Sequence, residues 1–202
     1  MTVHSKPSAS RKPNDANRVR IIGGEWRSRL IEFSAADGLR PTANRVRETL
    51  FNWLGQTLQG LRCLDLFAGS GALGFEAASR GAAAVVMVES SRLAFQALRT
   101  NKENLLATQC RLVQQDAAGF LARNQEKFDV VFLDPPFGSG LLSVMLVDVE
   151  EHLSAQGVVY AEWGEPLEHV LSMIPDGRCR LVKRGKAGAV HFGLLSFAKG
   201  AT

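Results

Sequence analysis

The sequence predicts an α/β fold: a mostly parallel sheet with helices between its strands, an antiparallel hairpin at the C-terminal end, and a small hairpin-and-helix extension in front. Three observations carry this. Short apolar runs alternate with helical patterns from about residue 61 onward, as parallel βαβ units require. The ends of those runs are marked by glycines or acids, at 65–71, Glu89, Asp116 and Asp134, where an open parallel sheet places its ligands. The last two β-prone runs are joined by a short glycine-bounded segment, which suits a hairpin and is too short for a helical crossover.

Residues 1–17 are rich in Ser, Pro, Asn, Lys and Arg and poor in apolar side chains, the composition of a disordered basic tail. The stretch RVRIIGGEWRSRLIEF then places β-prone runs on either side of Gly23-Gly24 and predicts a small hairpin. After a loop over 37–41 comes TANRVRETLFNWLGQTL. Thr42 stands in an N-cap position, and Val46, Leu50, Trp53 and Leu54 have helical spacing, so a helix is expected to end near Gly60. Strands are expected over 63–69, 83–90, 110–116, 128–134 and 157–163, and helices over 72–79, 93–105, a short span before 128, 141–153 and 166–173. Segments 178–186 and 189–197 form the closing pair, which makes seven strands. The organisation is thus a tail (1–17), an extension (18–60) and a sheet domain (61–202).

With 202 residues, 46% of them hydrophobic, the chain has the material for one globular core. It contains no apolar run long enough to span a membrane and no secretory-type leader, so a soluble cytoplasmic protein is expected. Cys63, Cys110 and Cys179 are scattered, and the four histidines are isolated, so no metal site is expected. The net charge of +4 is unevenly placed. Residues 1–50 hold ten Lys/Arg against five Asp/Glu, and the remainder fourteen against fifteen. A basic N-terminal end suits either a polyanion partner or a solvated surface.

The segment DLFAGSGALG contains GxGxxG, with Glu89 twenty residues beyond Gly69. Taken alone this spacing fits a dinucleotide site. Asp65, just before the glycine turn, would repel a pyrophosphate and attract a positively charged amino-acid tail, so S-adenosylmethionine is the better tenant. On that reading Phe67, Gly69, Ser70 and Gly71 surround the cofactor, and the two glycines give backbone clearance. Glu89 takes the ribose hydroxyls, Asp116 the adenine amino group, and Ala117 offers a backbone N–H to the ring. Strand-end acids also cap helices, and for Asp116 the two readings stand even.

FDVVFLDPPFGSG ends a buried run on Asp134-Pro135-Pro136-Phe137. Consecutive prolines make a stiff turn without N–H donors. The Asp134 carboxylate and the Pro135 carbonyl can each accept one N–H of an exocyclic amine, aiming its nitrogen at a methyl donor. Asp134 can then take the proton, and Phe137 can stack on the base.

These motifs resemble the amino-methyltransferases that carry an (Asp/Asn/Ser)-Pro-Pro-(Tyr/Phe) signature. More narrowly, GGEWRSRLIEF, GLRPTANRVRETLFNWL, CLDLFAGSGALGFEAASRGA and FDVVFLDPPF resemble the RsmD family in that order, over residues 18–200. The resemblance implies a Rossmann-like, S-adenosylmethionine-dependent methyltransferase acting on the N2 amino group of a guanine in 16S ribosomal RNA, within the small subunit or an assembly intermediate. It also implies that Arg40, Pro41 and Thr42 lie near cofactor and substrate, with Arg45 and Arg47 on the helix that follows. Arg18, Arg20, Arg27, Arg29, Arg40, Arg45 and Arg47, with Trp26 among them, are the candidate RNA-binding residues, arginines for phosphates and an aromatic for stacking. An ordinary hairpin with solvated arginines and a packed Trp26 is the alternative. A monomer is expected. The motif recognises an amino group rather than a purine, which leaves an adenine-N6 methyltransferase open; a non-catalytic RNA-binding assembly factor is the reading from another class.

Overall fold

A computed structural model describes residues 17–33, 41–174 and 177–198. Residues 1–16 of the expected tail (1–17) and residues 37–40 of the expected loop (37–41), Arg40 among them, lie outside the described residues.

Seven strands form one sheet: Arg62–Asp65 (β3), Ala84–Glu89 (β4), Cys110–Gln114 (β5), Phe128–Leu133 (β6), Leu153–Trp163 (β7), Cys179–Ala187 (β8) and Val190–Phe197 (β9). Their order is β5-β4-β3-β6-β7-β9-β8. The first five run parallel, and β9 pairs antiparallel with both β7 and β8. The chain therefore turns outward from β3 in both directions, and a parallel sheet opens its ligand crevice at such a reversal.

Side chains alternate between the two faces of these strands and feed two cores. Cys63, Val85, Met87, Val130, Phe132 and Tyr160 pack on one face with the helices Asn44–Trp53 (α1) and Ala72–Ser79 (α2) and with Arg92–Leu105 (α3). Leu64, Val86, Val88, Val131, Leu133, Val159 and Ala161 pack on the other, against Ala117–Leu121 (α4), Leu141–Asp148 (α5) and Leu167–Leu171 (α6). Both faces are covered, which is why the strands read as continuous apolar runs.

The extension is built as a pair, Arg18–Arg20 (β1) and Leu30–Glu32 (β2), with Val19 opposite Ile31. Gly23-Gly24 does not form a tight turn between them. The linking segment folds onto α2 instead: the Ser79 hydroxyl donates to the Gly23 carbonyl at 2.6 Å, and the Glu25 amide donates to the Ser79 carbonyl at 2.8 Å. A β-carbon on Gly24 would lie 1.8 Å from that carbonyl oxygen, so the glycine serves close backbone approach.

Two helix boundaries differ from expectation. α1 is capped by Ala43, not Thr42, and stops at Trp53 because Gly55 and Gln56 take positive φ of 91° and 66°. α5 stops at Asp148 and gives way to a 3-10 turn, Glu150–His152, from which β7 begins at Leu153. The register of β7 against β6 shifts between Phe128 and Val130, so its early residues pair irregularly.

Candidate active site

The carboxyl ends of β3, β4, β6 and β7 bring four acids together. Asp65 opens the glycine loop and is 2% exposed; its Oδ2 accepts from the Gly74 amide at 2.9 Å, tying the loop to the first turn of α2. Burial, with the charges of Asp134 and Glu89 adding to it, pushes its carboxyl up to about 7. Gly69 and Gly71 both take positive φ, 48° and 80°. A β-carbon on Gly71 would strike Phe75 at 2.6 Å and Leu98 at 2.7 Å. Clearance at Gly71 is thus required by the protein's own packing as well as by the turn.

Glu89 is held by both oxygens: Oε2 accepts from the Gly69 amide and Oε1 from the Ser91 amide, each at 2.7 Å. A carboxylate has about four acceptor sites, so each oxygen keeps a lone pair for a hydroxyl group. Asp116 is exposed and caps α4, its Oδ1 accepting from the Gly119 amide at 2.7 Å. Both it and Ala117 also line a cleft of about 210 Å³ with Leu66, Val88, Pro136 and Met145. Capping and pocket lining therefore coexist at Asp116.

A smaller cavity of about 50 Å³ lies beside this cleft, with Phe67 lining both. Its polar side chains are Thr42, Asp65, Ser70 and Asp134, and no basic side chain among the described residues lines it. Asp134 is half-buried; burial raises its carboxyl to about 6, and the hydrogen bond from Thr42 lowers it. The Thr42 hydroxyl donates to Asp134 Oδ2 at 3.4 Å, a bond available because Thr42 is not engaged as the cap of α1. Pro135 is buried, while Pro136 is exposed. Phe137 is 49% exposed, and its ring meets Trp163 edge-on with centroids 6.0 Å apart.

Sequence reasoning assigns no role to Tyr160, Glu162 or Trp163. The parallel register that pairs Leu133 with Ala161 sets Glu162 alongside Asp134. Glu162 is 4% exposed, and the Tyr160 hydroxyl donates to its Oε1 at 2.9 Å. Burial first, and then the charge of Asp134, raise its carboxyl to about 8. The signal was present: an acid closing an apolar strand, as at Asp65, Glu89, Asp116 and Asp134.

The candidate RNA-binding residues separate into two groups. Arg20, Arg27, Arg29 and Arg45 are exposed, and Arg18 pairs with Glu32 at 2.8 Å. Arg18 and Arg20 line a groove of about 460 Å³ with Pro41, Thr42 and Asn44, and Pro41 and Thr42 line the acidic cavity as well. Trp26 and Arg47 correct the expectation. Trp26 is 5% exposed and packed in the main core, so its ring offers no face for stacking. Arg47 is fully buried and ion-paired with Glu76, so it is not at the surface.

An acid-lined cavity beside an apolar cleft suits a positively charged tail attached to an adenosine and is unsuited to a pyrophosphate. With the switch point of the sheet at the same place, the protein falls in the class of S-adenosylmethionine-dependent methyltransferases. Within that class it belongs to the family described as Conserved hypothetical protein 95, whose model matches residues 19–196. "Ribosomal RNA small subunit methyltransferase D" of Escherichia coli (strain K12) is 43% identical over 169 residues, 82% of this chain and 84% of that one. The protein of the same name from Haemophilus influenzae is 39% identical over 188 residues, 90% and 95% of the two chains. Among solved structures, "Putative methyltransferase yhhF from Escherichia coli" superposes with a TM-score of 0.78 at 40% identity, covering 89% of this chain and 98% of that one.

Proposed function

We propose that this methyltransferase acts on 16S ribosomal RNA of the small subunit, at the N2 amino group of a guanine. The relatives named for small-subunit ribosomal RNA methylation support the RNA class. The observation that carries the reading is the groove lined by Arg18 and Arg20, which shares Thr42 with the cavity holding Asp134. A backbone running along that groove would deliver a base to the Asp134-Pro135-Pro136-Phe137 turn, with residues 18–60 as the docking element.

Asp65 would hold the ammonium of the cofactor, Glu89 its ribose, and Asp116 with Ala117 its adenine; bound there, S-adenosylmethionine supplies an electrophilic methyl group. Phe137, half exposed at the lip, stacks on the unstacked base. Asp134 and the Pro135 carbonyl accept the two N–H bonds of the amine and turn its lone pair toward the methyl carbon. Once the amine is methylated, Asp134 would take up the proton its nitrogen must lose. A carboxyl raised to about 6 is ionised at neutral pH, so Asp134 is ready to accept.

The test is to supply methyl-labelled S-adenosylmethionine with small subunits lacking the modification and with total RNA, then digest and identify the labelled nucleoside. N2-methylguanosine in 16S RNA is expected. N6-methyladenosine would replace guanine with adenine as the substrate base, and no label in any RNA would favour an assembly factor. Asp134→Ala is expected to abolish turnover while the cofactor still binds.

A further inference from the structure

We propose that Glu162 is a positioning residue for Asp134: in its neutral form it donates to the Thr42 hydroxyl, which in turn donates to Asp134 and fixes that carboxylate for the substrate amine. The inference rests on the reading of Asp134 as the amine acceptor and adds a second acid that the reaction needs in the protonated state.

Geometry supports each link. The β6–β7 register places Glu162 beside Asp134, and a 4% exposed carboxyl reaches solvent and substrate poorly. Thr42 donates to Asp134 at 3.4 Å and also acts on Glu162, where it lowers the carboxyl pKa against the larger raising effects of burial and of Asp134. The Tyr160 hydroxyl, fully buried, donates to Glu162 Oε1 at 2.9 Å, which leaves Oε2 to carry a proton toward Thr42. A hydroxyl that receives a hydrogen bond on its oxygen is free to give its own proton to Asp134 Oδ2, and Asp134 Oδ1 is left for the amine. If Glu162 were ionised, Thr42 would be drawn to it as a donor and two adjacent carboxylates would repel each other in a buried site.

The surroundings favour one proton on the pair. The groups acting on Glu162 are Asp134 from the end of β6, Tyr160 from its own strand and Thr42 from the segment before α1. Its antiparallel partner on β9 is Phe192, which carries no charge. Among the described residues, no basic side chain offsets the charge of Asp134 at Glu162. Its carboxyl therefore stays protonated at neutral pH, with ionisation near pH 8, while Asp134 ionises near pH 6.

The experiment is the pH profile of kcat at saturating cofactor and RNA, for the full chain and three variants. The parent should rise through the Asp134 limb near pH 6 and fall through a limb near pH 8. Glu162→Gln keeps a neutral donor at every pH, so turnover at pH 7 should persist and the alkaline fall should vanish while the acid limb stays. Glu162→Ala should lower kcat tenfold or more with little change in KM for the cofactor. Tyr160→Phe removes a bond that lowers the Glu162 pKa, so the alkaline limb should move upward; this variant tests the proposal even if substitutions at Glu162 unfold the chain. An alkaline limb unmoved in Tyr160→Phe or in a folded Glu162→Gln would overturn the proposal. Full activity in Asp134→Ala would instead overturn the reading of Asp134, whatever Glu162 does.

Discussion

The guanidinium of Arg47 and the carboxylate of Glu76 meet at 3.3 Å with both side chains sealed from solvent. The pair joins three segments. Arg47 also donates to the Arg20 carbonyl at 2.8 Å and to Asn44 Oδ1 at 2.6 Å, and Glu76 accepts from the Ile22 amide at 2.8 Å and from Arg80 Nε at 2.8 Å. Burial lowers the Arg47 pKa and the neighbouring Glu76 raises it, the signature of a charge kept ionised by its partner. The N-terminal pair of strands is thereby fastened to the helix that follows the glycine loop.

The two sides of this pair should fail unequally. Arg47→Met leaves Glu76 with Arg80, so its cost should sit at the low end of the range for breaking a buried pair, about 3 kcal/mol. Glu76→Ala strands Arg47, whose Nε already lacks a hydrogen-bond partner, and also orphans the Ile22 amide. It should cost more, about 5 kcal/mol. Urea unfolding of both variants checks the order, and equal losses would show that Arg80 does not sustain Glu76.

Arg47 also shows where the sequence stops being legible. The seven strands, the C-terminal hairpin and the loop from Asp65 to Gly71 follow from periodicity and from acids and glycines at strand ends, which are local signals. Whether an arginine in an arginine-rich stretch faces solvent depends on a partner 29 positions away, and no local pattern marks Glu76 as that partner. Trp26 misleads for the same reason, since the Ser79 side chain that fixes its backbone is 53 residues distant. Glu162 differs. It obeys the strand-end rule that singled out Asp134, but its importance lies in the register that sets the two side by side.

Asp65 should trade stability for binding. Its carboxyl is raised to about 7 in the folded chain, so the native state holds the proton more tightly than the unfolded one. The stability it contributes is complete below the ordinary carboxylate range and is lost as pH rises through about 7. Asp65→Asn should therefore stabilise the cofactor-free protein at pH 8 by an amount on the order of a few kcal/mol, seen as a higher Tm, and flatten the decline of Tm between pH 5 and 8. If Asp65 holds the ammonium as proposed, the same change should weaken cofactor binding tenfold or more, because a buried carboxylate is replaced by a neutral amide. Thermal scans with and without S-adenosylmethionine separate the two effects; tighter binding by Asp65→Asn would overturn the assignment of Asp65 to the ammonium.

Gly71→Ala should damage the loop from inside. The left-handed backbone at this position costs a residue with a β-carbon about 1–2 kcal/mol, before the new methyl group meets Phe75 and Leu98. Phe75 and Leu98 are both fully buried, so neither can swing away. The start of α2 should shift, lowering both stability and cofactor affinity, as calorimetric titration and denaturation would register. A variant that binds normally would mean the loop tolerates strain that this packing forbids.

The exposed arginines of the extension should govern salt dependence rather than chemistry. Arg27 and Arg29 are both exposed, and neither lines the acidic cavity. If each neutralises one phosphate, replacing both with alanine should reduce the slope of log K against log salt by roughly two, since each contact releases about one counterion. Turnover at saturating RNA should stay close to that of the parent, because Asp134 and its neighbours are untouched. Filter binding across a salt series measures the slope directly. Arg47→Met provides the contrast: a buried arginine should alter stability and leave the slope per folded molecule where it was. A slope unchanged in the Arg27/Arg29 double variant would move RNA docking off this face and toward other basic surfaces, of which the strand bearing Lys183, Arg184 and Lys186 is the next to examine.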